Sequence, residues 1–276
     1  MDLVIQGADV ETTALKELAK LSGASAIGQV RPQAFRLRNA HPAQGLAALC
    51  DAQKLDHGFV PEARRFADFG LLVMDMDSTL ITIETIDELA DLVGRKAEVA
   101  AVTAQAMRGE IEYDESLRRR VAVLKGLDES ELDRVYRERV RLSPGAEDLI
   151  AEAKRAGMRI LLVSGGFTHV TDRLKARLGL DYTRSNTLKV AGGKLTGEVE
   201  GRIVNADGKR EALLAAREEL KLGKERIIAI GDGANDLKFM SEAGVSIAYH
   251  AKPVVRDQAT HAINYVGLDG ALNLFN

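Results

Sequence analysis

The sequence predicts an α/β protein with a parallel, doubly wound sheet, a helical insertion in that sheet and a small α+β unit before it. Three short apolar runs, at residues 71–74, 159–163 and 226–230, each stop at a polar turn, and a weaker run follows at residues 245–248. Such runs are typical of strands that are buried on both faces. Stretches of helical character separate the runs, and this alternation indicates a parallel sheet.

Residues 1–68 form a separate unit at the start of the chain. Their pattern predicts a strand at residues 3–6, a helix at 11–21, a strand around 35–37, a helix at 42–53 and an extended piece near Phe59. The unit is too short to be a catalytic domain of its own. It is long enough for a regulatory or docking module, and we place the first domain boundary after residue 68.

The segment between residues 83 and 142 contains no strand-like run. Its pattern predicts four consecutive helices, at residues 85–93, 97–107, 113–124 and 129–139. An insertion of this length is too long for an ordinary crossover between two strands. We therefore expect residues 84–142 to form a cap over the carboxyl edge of the sheet, inside a core made of residues 69–83 and 143–276.

Turn residues mark further elements of this core. Ser143 and Pro144 are expected to begin a helix, as its N-cap and its first residue, and Gly157 is expected to end it. The pair Gly192-Gly193 stands between two alternating segments and predicts a β-hairpin.

Composition excludes several classes of function. The chain of 276 residues carries 38 Lys and Arg against 41 Asp and Glu, a net charge of −3, which is not the electrostatic footprint of a duplex-binding protein. Aromatic residues make up 4%, with no Trp, which is too few for base stacking on single strands. The single cysteine, Cys50, excludes a disulfide framework and a cysteine-cluster zinc site.

The same composition bears on location. No apolar stretch approaches the roughly 20 residues that span a bilayer. The first residues, MDLVIQGADVETT, place acids where a signal peptide carries basic residues. We expect a soluble, cytoplasmic protein that binds neither nucleic acid nor membrane.

Polar residues follow each of the three long apolar runs. Asp75 and Asp77 come after the first run, a Ser-Gly-Gly turn at residues 164–166 after the second, and Asp232 and Asp236 after the third. Ligands of open α/β sheets bind outside the carboxyl ends of the strands. We therefore expect these polar residues to converge at one edge of the sheet.

The spacing of these residues does not fit the common binding and catalytic motifs. An EF-hand loop that starts at Asp75 would need glycine where Leu80 stands. A dinucleotide-binding fingerprint would need its third glycine where Asp236 stands. The sequence also lacks a P-loop and a nucleophile elbow around Ser164. These comparisons disfavour a calcium switch, a dehydrogenase, an NTPase and a serine hydrolase.

The chemistry that fits these groups is phosphoryl transfer. Carboxylates gathered at one edge repel, by roughly 4 kcal/mol for a pair about 4 Å apart at an effective dielectric of about 20, and therefore need a hard divalent cation. Oxygen ligands around a phosphate favour Mg²⁺. The backbone N–H groups of residues 164–166 suit an oxyanion. Lys209 opens a helix predicted at residues 209–220, which Asp207 could cap, and supplies a positive charge. Together these groups indicate a carboxylate nucleophile.

In order along the chain, the polar residues resemble the four motifs of the haloacid dehalogenase (HAD) superfamily of phosphatases. The matching positions are residues 75–79 (Asp-Met-Asp-Ser-Thr), 164–166 (Ser-Gly-Gly), Lys209 and 231–236 (Gly-Asp-Gly-Ala-Asn-Asp). The similarity covers about residues 70–270. The similarity is greatest to members that hydrolyse L-O-phosphoserine, and three segments carry it: residues 79–88, 116–121 and 163–167. Residues 1–68 resemble, only in outline, the small ACT-like domains that precede some members.

The resemblance implies an Mg²⁺-dependent hydrolysis of L-O-phosphoserine to serine and phosphate, the last step of serine synthesis. Asp75 would attack phosphorus and become an aspartyl phosphate. Asp77 would donate a proton to the departing serine oxygen and later take one from water. The Asp75 carboxylate, the Asp77 backbone carbonyl and Asp232 would hold the metal.

The resemblance also implies roles for the residues around the phosphate. Ser164, Gly165 and Lys209 would hold the phosphate oxygens. Asp236 would support the hydrolytic water or Lys209, and Asn235 would lie beside it.

Substrate choice would fall partly on the cap. The resemblance implies that Glu84 meets the substrate ammonium and that Arg120 clamps its carboxylate. From spacing alone, Arg120 is more typical of a solvated helix face and Glu84 of an acid in the first turn of a helix. Met107 and Tyr113 would line the substrate chamber. Tyr113 stands where Phe is frequent in the family, and this leaves the role of its hydroxyl open.

Other functions stay open at this point. The same chemistry would serve a phosphatase for another small phosphomonoester, or a phosphotransferase that passes phosphate to an alcohol. A protein that senses serine through residues 1–68 is a third alternative. A homo-oligomer is possible, and the sequence does not decide it.

Overall fold

The computed structural model describes residues 1–276. The N-terminal unit follows the order βαββαβ, which is the split βαβ arrangement of ferredoxin-like folds. All its strand pairs are antiparallel, in the order β2-β3-β1-β4, and this confirms the predicted small α+β unit. Its elements are β1 (Asp2–Gln6), α1 (Thr12–Ser22), β2 (Ala26–Arg31), β3 (Ala34–Arg38), α2 (Leu46–Ala52) and β4 (Asp56–Val60).

Two details of this unit differ from the prediction. Strand β2 is absent from the prediction because it lies at the sheet edge with nearly every residue exposed, so that its sequence shows no buried face. Helix α2 begins at Leu46 rather than at Pro42. Gly45, which precedes it, has a left-handed φ of 84°, so the chain turns just before the helix.

The large sheet has seven strands in the order β11-β10-β9-β5-β6-β7-β8. Every neighbouring pair is parallel except β7 and β8, which form the hairpin predicted at Gly192-Gly193. Strand β5 lies at the centre and is buried along its whole length. The predicted parallel α/β fold is confirmed. The strands are β5 (Leu71–Asp75), β6 (Arg159–Phe167), β7 (Tyr182–Ala191), β8 (Lys194–Glu200), β9 (Ile227–Gly231), β10 (Val245–Tyr249) and β11 (His261–Ile263).

Five helices lie between strands β5 and β6, and we call the first four of them the helical insertion. They are α3 (Thr85–Leu92), α4 (Lys96–Met107), α5 (Tyr113–Ala122) and α6 (Ser130–Glu138). The remaining helices flank the sheet: α7 (Ala146–Arg155), α8 (Thr168–Leu178), α9 (Ala206–Glu219), α10 (Leu237–Met240) and α11 (Pro253–Arg256). None of the helices combines the length and the apolar character that a membrane span requires.

The helical insertion is tied to the large sheet at two places. Its two ends meet in an isolated antiparallel bridge between Ile81 and Leu142. Farther out, Leu195 of the hairpin exchanges backbone hydrogen bonds with the insertion, accepting from Gly126 N and donating to Leu127 O, both at 2.8 Å. The apolar cluster of the insertion therefore continues into the hairpin.

Two helices start differently from the prediction. Helix α7 begins at Ala146 because Gly145 has a φ of 74°, so Ser143 is not its N-cap. Helix α9 begins at Ala206 with Asn205 as its cap, whose side chain accepts hydrogen bonds from two backbone N–H groups of the first turn. Asp207 lies inside the helix, and Lys209 lies in its first turn rather than at its start.

Buried polar contacts join the N-terminal unit to the large sheet. Arg36, 1% exposed, donates to the backbone carbonyls of Asn273 at 3.0 Å and Phe275 at 2.8 Å. The Asp56 carboxylate accepts from three successive backbone N–H groups, those of residues 264–266, at 2.6 to 3.3 Å. Because each of these groups is out of water, the contact between the two units is specific as well as apolar.

Candidate active site

Lys209 lies at the centre of a buried cluster at the carboxyl edge of the large sheet. Its ammonium donates to Asp75 Oδ1 and to Asp236 Oδ1, both at 2.7 Å. Asp75 is the last residue of β5, and Asp236 follows β9. Burial opposes the charge of Lys209, but Asp236 and Asp75 outweigh burial and the pKa of the lysine is raised. The lysine is therefore held charged between two acids.

Asp75 and its acidic neighbours crowd one another. Oxygen atoms of Asp75, Asp232 and Asp236 all lie within 4.8 Å of one another. Burial, followed by the charge of Asp236, raises the pKa of Asp75 well above its ordinary range and that of Asp232 to about 7. Crowded carboxylates of this kind could hold a divalent cation, whose charge would offset their repulsion.

The three acids differ in how many of their oxygens are already used. Asp236 accepts from Lys209 through one oxygen, and through the other from the backbone N–H groups of Asp232 and Gly233 at 3.1 and 3.0 Å. Asn235 donates a further bond to Asp236 at 3.3 Å. Asp75 and Asp232 each keep an oxygen without a protein donor. These two acids are therefore freer than Asp236 to bind a metal.

Asp77 points away from this acidic group, toward the start of the helical insertion. Its Oδ1 accepts from Thr85 Oγ1 at 2.6 Å and from Thr85 N at 3.2 Å. Its Oδ2 faces Gly166, where an added Cβ would lie 2.6 Å away. Burial, followed by the charge of Glu84, raises the pKa of Asp77 to about 7. A carboxyl group with such a pKa can give and take a proton near neutral pH.

The predicted turn at residues 164–166 lies inside β6 rather than after it, as the irregular part of the strand between Val163 and Phe167. Asp75 pairs with Val163, the residue just before this segment. Ser164 is fully buried, and its Oγ accepts from Gly166 N at 2.8 Å. A Cβ at Gly165 would overlap the hydroxyl of Tyr113, which reaches over the turn from helix α5. Burial raises the pKa of Tyr113, so its hydroxyl is protonated and can donate.

The predicted substrate residues of the helical insertion are only partly brought together. Glu84 is exposed and accepts from Ser78 Oγ at 2.7 Å. Arg120, half-buried, makes a long bond of 3.4 Å from its Nε to the backbone carbonyl of Ser116 in its own helix, so its guanidinium is largely uncommitted. Met107 is 65% exposed, and its sulfur lies 3.9 Å from Lys252 Nζ rather than in the buried cluster.

Comparison with known proteins gives the family. Residues 72–241 match the model of the haloacid dehalogenase-like hydrolases. A phosphoserine phosphatase of Polaromonas sp. strain JS666 is 55% identical over 215 residues, which cover 76% of this chain and 91% of that protein. The chain belongs to the phosphoserine phosphatase family of HAD hydrolases. The resemblance seen in the sequence is confirmed.

Solved structures share the whole architecture of this family member. A HAD family hydrolase from Salmonella enterica serovar Typhi has a TM-score of 0.89 at 32% identity and covers 100% of this chain and 98% of its own. A probable phosphoserine phosphatase from Vibrio cholerae, in its unliganded form, has a TM-score of 0.86 at 36% identity. The match covers 99% of this chain and 85% of that chain. Residues 3–47 match a domain of unknown function (DUF4072), so the ACT-like character of the N-terminal unit stays a prediction.

Three polar residues of the site have no role assigned from the sequence, although two of them, Thr79 and Thr85, lie inside its motif segments. Thr85 holds Asp77, and Thr79 donates to Asp232 Oδ1 at 3.0 Å. Asn186, on strand β7, donates to the backbone carbonyl of Gly165 at 2.8 Å. The two threonines lie close in sequence to predicted acids, and a hydroxyl near a carboxylate is a signal that could have found them. Asn186 has no such signal.

Proposed function

We propose that this protein hydrolyses L-O-phosphoserine to L-serine and inorganic phosphate through an aspartyl-phosphate intermediate. The observation that carries the proposal is the buried Asp75 carboxylate, held at 2.7 Å by Lys209 in a chain with a 55% identical phosphoserine phosphatase relative. The reaction is that of a phosphoric monoester hydrolase and would complete serine synthesis.

Asp75 and Asp77 divide the chemistry between them. The free oxygen of Asp75 attacks phosphorus in line, and the bond between phosphorus and the serine oxygen breaks. Asp77 gives its proton to that oxygen, for which a pKa of about 7 suits it. In the second step Asp77 takes a proton from water, which attacks phosphorus and releases Asp75. Each step then has one nucleophile and one proton carrier.

The acidic cluster is suited to Mg²⁺. The Asp75 carboxylate, the Asp77 backbone carbonyl and Asp232 would hold the ion, while Asp236 is saturated by Lys209 and backbone N–H groups. When bound, the ion would supply positive charge that offsets the repulsion between the carboxylate nucleophile and the phosphate dianion. Asp236, supported by Asn235, serves to fix Lys209 and the loop after β9.

Ser164, Gly165 and Lys209 are the proposed phosphate ligands. The hydroxyl of Ser164 and the ammonium of Lys209 are donors, and burial removes water that would compete for the phosphate oxygens. Gly165 has no side chain, and this allows the Tyr113 hydroxyl to lie against the proposed phosphate site.

Residues 84–142 are the proposed cap, which recognises the amino acid part of the substrate. The exposed carboxylate of Glu84 is placed to bind the ammonium, and the uncommitted guanidinium of Arg120 to bind the carboxylate as a two-pronged donor. Tyr113 and Met107 would line the chamber. Met107 can reach it only through movement of the cap, since it is 65% exposed.

Phosphate release from L-O-phosphoserine with Mg²⁺ tests the proposal. The Asp75→Asn variant should lose at least about 10³-fold in kcat, because an amide oxygen is a poor nucleophile. Asp207→Asn is the matched control, since Asp207 is an exposed acid paired with Lys238 at 2.7 Å. Near-normal turnover of Asp75→Asn would refute the assignment of the nucleophile.

Substrate competition separates the alternatives. A phosphatase for another ester would release phosphate faster from that compound than from L-O-phosphoserine. A phosphotransferase would form a new phosphate ester when homoserine is added as acceptor. With a phosphate ester that has no α-carboxylate, the Arg120→Lys variant should lose less activity than with L-O-phosphoserine, whose carboxylate needs the two-pronged donor.

A further inference from the structure

Asn186 is a buried amide whose two ends both reach the proposed phosphate site. It lies on strand β7 and is 1% exposed. Its Nδ2 donates to the backbone carbonyl of Gly165 and its Oδ1 accepts from Val204 N, both at 2.8 Å. Because the side chain is out of water, both bonds are needed to satisfy it.

The bond from Asn186 to the Gly165 carbonyl lies at an irregularity in the pairing of β6 with β7. In the pairing of β6 with β7, Val163 faces Arg184 and Phe167 faces Asn186, so residues 164–166 stand against one residue of β7. Extra residues of this kind bulge out of the ladder and leave backbone groups without a strand partner. Asn186 supplies the donor that the Gly165 carbonyl would otherwise lack.

This contact fixes one peptide group of the turn at both ends. The Gly165 carbonyl is bound by Asn186, and the N–H of the same peptide group, on Gly166, donates to Ser164 Oγ at 2.8 Å. A serine hydroxyl has one proton to donate. Since Ser164 Oγ is used here as an acceptor, its proton stays available for a phosphate oxygen.

The second bond reaches the helix that carries Lys209. Val204 directly precedes Asn205, the N-cap of α9, and the backbone carbonyl of Asn205 accepts from Lys209 N at 2.9 Å. The Asn186 side chain therefore bonds directly to the segment that carries Ser164 and to the residue just before the cap of helix α9, which carries Lys209.

We propose that Asn186 is a positioning residue, which holds the turn at residues 164–166 and the start of helix α9 in one fixed relation so that Ser164 and Lys209 meet the same phosphate. This inference rests on the proposed function, because it assumes that those two residues bind phosphate.

The test compares Asn186→Asp and Asn186→Ala in the full chain. Asn186→Asp keeps the size and the acceptor for Val204, and it is assayed at alkaline pH because burial raises the pKa of a carboxyl group. The ionised carboxylate has no proton to donate to the Gly165 carbonyl. Asn186→Ala removes both bonds. If this variant fails to fold, the test rests on Asn186→Asp alone. Ser185→Ala is the matched control, because Ser185 is the neighbouring residue and its hydroxyl pairs with Thr171 instead, at 2.8 Å.

The readouts are KM and kcat for L-O-phosphoserine and the inhibition constant of inorganic phosphate. Asn186→Asp should raise KM and the phosphate constant roughly tenfold, the size of one lost buried hydrogen bond, with a smaller change in kcat. Ser185→Ala should leave both constants within about twofold of the unmodified protein. In a Ser164→Ala background, Asn186→Asp should have less effect than it has alone, because the hydroxyl that it orients is gone.

Three results would overturn the inference. The first is an unchanged inhibition constant of phosphate in folded Asn186→Asp. The second is a rise in KM and in that constant in Ser185→Ala as large as in Asn186→Asp. The third is that Asn186→Asp has the same effect in the Ser164→Ala background as it has alone. A different result marks failure of the proposed function itself, namely that Ser164→Ala alone binds phosphate as tightly as the unmodified protein.

Discussion

Replacing Gly165 with alanine should slow the reaction through Tyr113, a residue of another element. The added Cβ would overlap the Tyr113 hydroxyl, and the next atoms of its surroundings are more distant, with Tyr113 Cζ at 3.2 Å and Val204 O at 3.8 Å. The hydroxyl is thus the sole severe obstacle. The Tyr113 hydroxyl must move away, either by rotation of its side chain or by a shift of helix α5, of which Tyr113 is the first residue.

The contact distances give the size of the effect. Carbon and oxygen atoms pack at about 3.5 Å, so the tyrosine must retreat by on the order of 1 Å. A misplacement of about 1 Å near reacting groups can cost about 100-fold in rate. In a Tyr113→Phe background the closest atom is Cζ at 3.2 Å, which requires a shift of only a few tenths of an ångström. The double variant should therefore recover to within about tenfold of the unmodified enzyme.

Steady-state phosphate release from L-O-phosphoserine measures kcat/KM for Gly165→Ala, for Tyr113→Phe and for the double variant that combines them. Gly166→Ala is the control, since a Cβ there would lie 2.6 Å from Asp77 Oδ2 and 2.8 Å from Met76 Cε, so removing the Tyr113 hydroxyl cannot relieve it. Tyr113→Phe should rescue Gly165→Ala and not Gly166→Ala. A double variant as slow as Gly165→Ala would refute the steric explanation.

Three further predictions concern stability and metal binding. Burial, then the Arg64 charge, lowers the pKa of His261 to about 4, so at this residue the unfolded chain binds a proton that the folded chain does not. Between about pH 7 and 5 the unmodified protein should therefore lose about 2 kcal/mol of unfolding free energy relative to His261→Gln, whatever the buried acids contribute to both proteins. Urea unfolding at the two pH values measures this difference, and equal pH dependence in the two proteins would contradict it. Arg36→Met should lower the free energy of unfolding by about 3 kcal/mol, because it leaves buried carbonyls without a donor; a loss under about 1 kcal/mol in urea unfolding would count against the role of this contact. Asp232→Asn should abolish the rise in Tm that Mg²⁺ gives the unmodified protein, and an equal rise in both would exclude Asp232 as a ligand.

The large sheet could be predicted because its strands are buried on both faces. Strand β5 has no exposed residue, so its apolar run is continuous and its end is marked by the first polar residue, Asp75. Strand β2 carries no such mark, since nearly all of it is exposed. The sequence predicts the start of α7 two residues early, because Ser143 and Pro144 fit a helix start, whereas the left-handed turn at Gly145 delays it.

The acidic residues of the site follow from the same rule. In a parallel sheet the residues after adjacent strands are neighbours in space, so Asp75 and Asp232 could be placed together from the sequence. The groups that hold these residues in place could not be predicted. Asn186 acts through backbone carbonyl and N–H groups, and any residue provides those, so its partners leave no trace in the sequence. The 65% exposure of Met107 depends on how the insertion sits over the sheet, and no local pattern encodes that.

The hairpin of β7 and β8 has a consequence for exchanging the helical insertion between relatives. Leu188 and Leu195 complete the apolar cluster of the helical insertion, and Leu195 shares backbone hydrogen bonds with Gly126 and Leu127. The unit that can be transplanted is therefore discontinuous in sequence: residues 84–142 together with the hairpin. A chimera that brings only the helices would leave leucines of two different proteins to pack against each other where the helical insertion meets the hairpin.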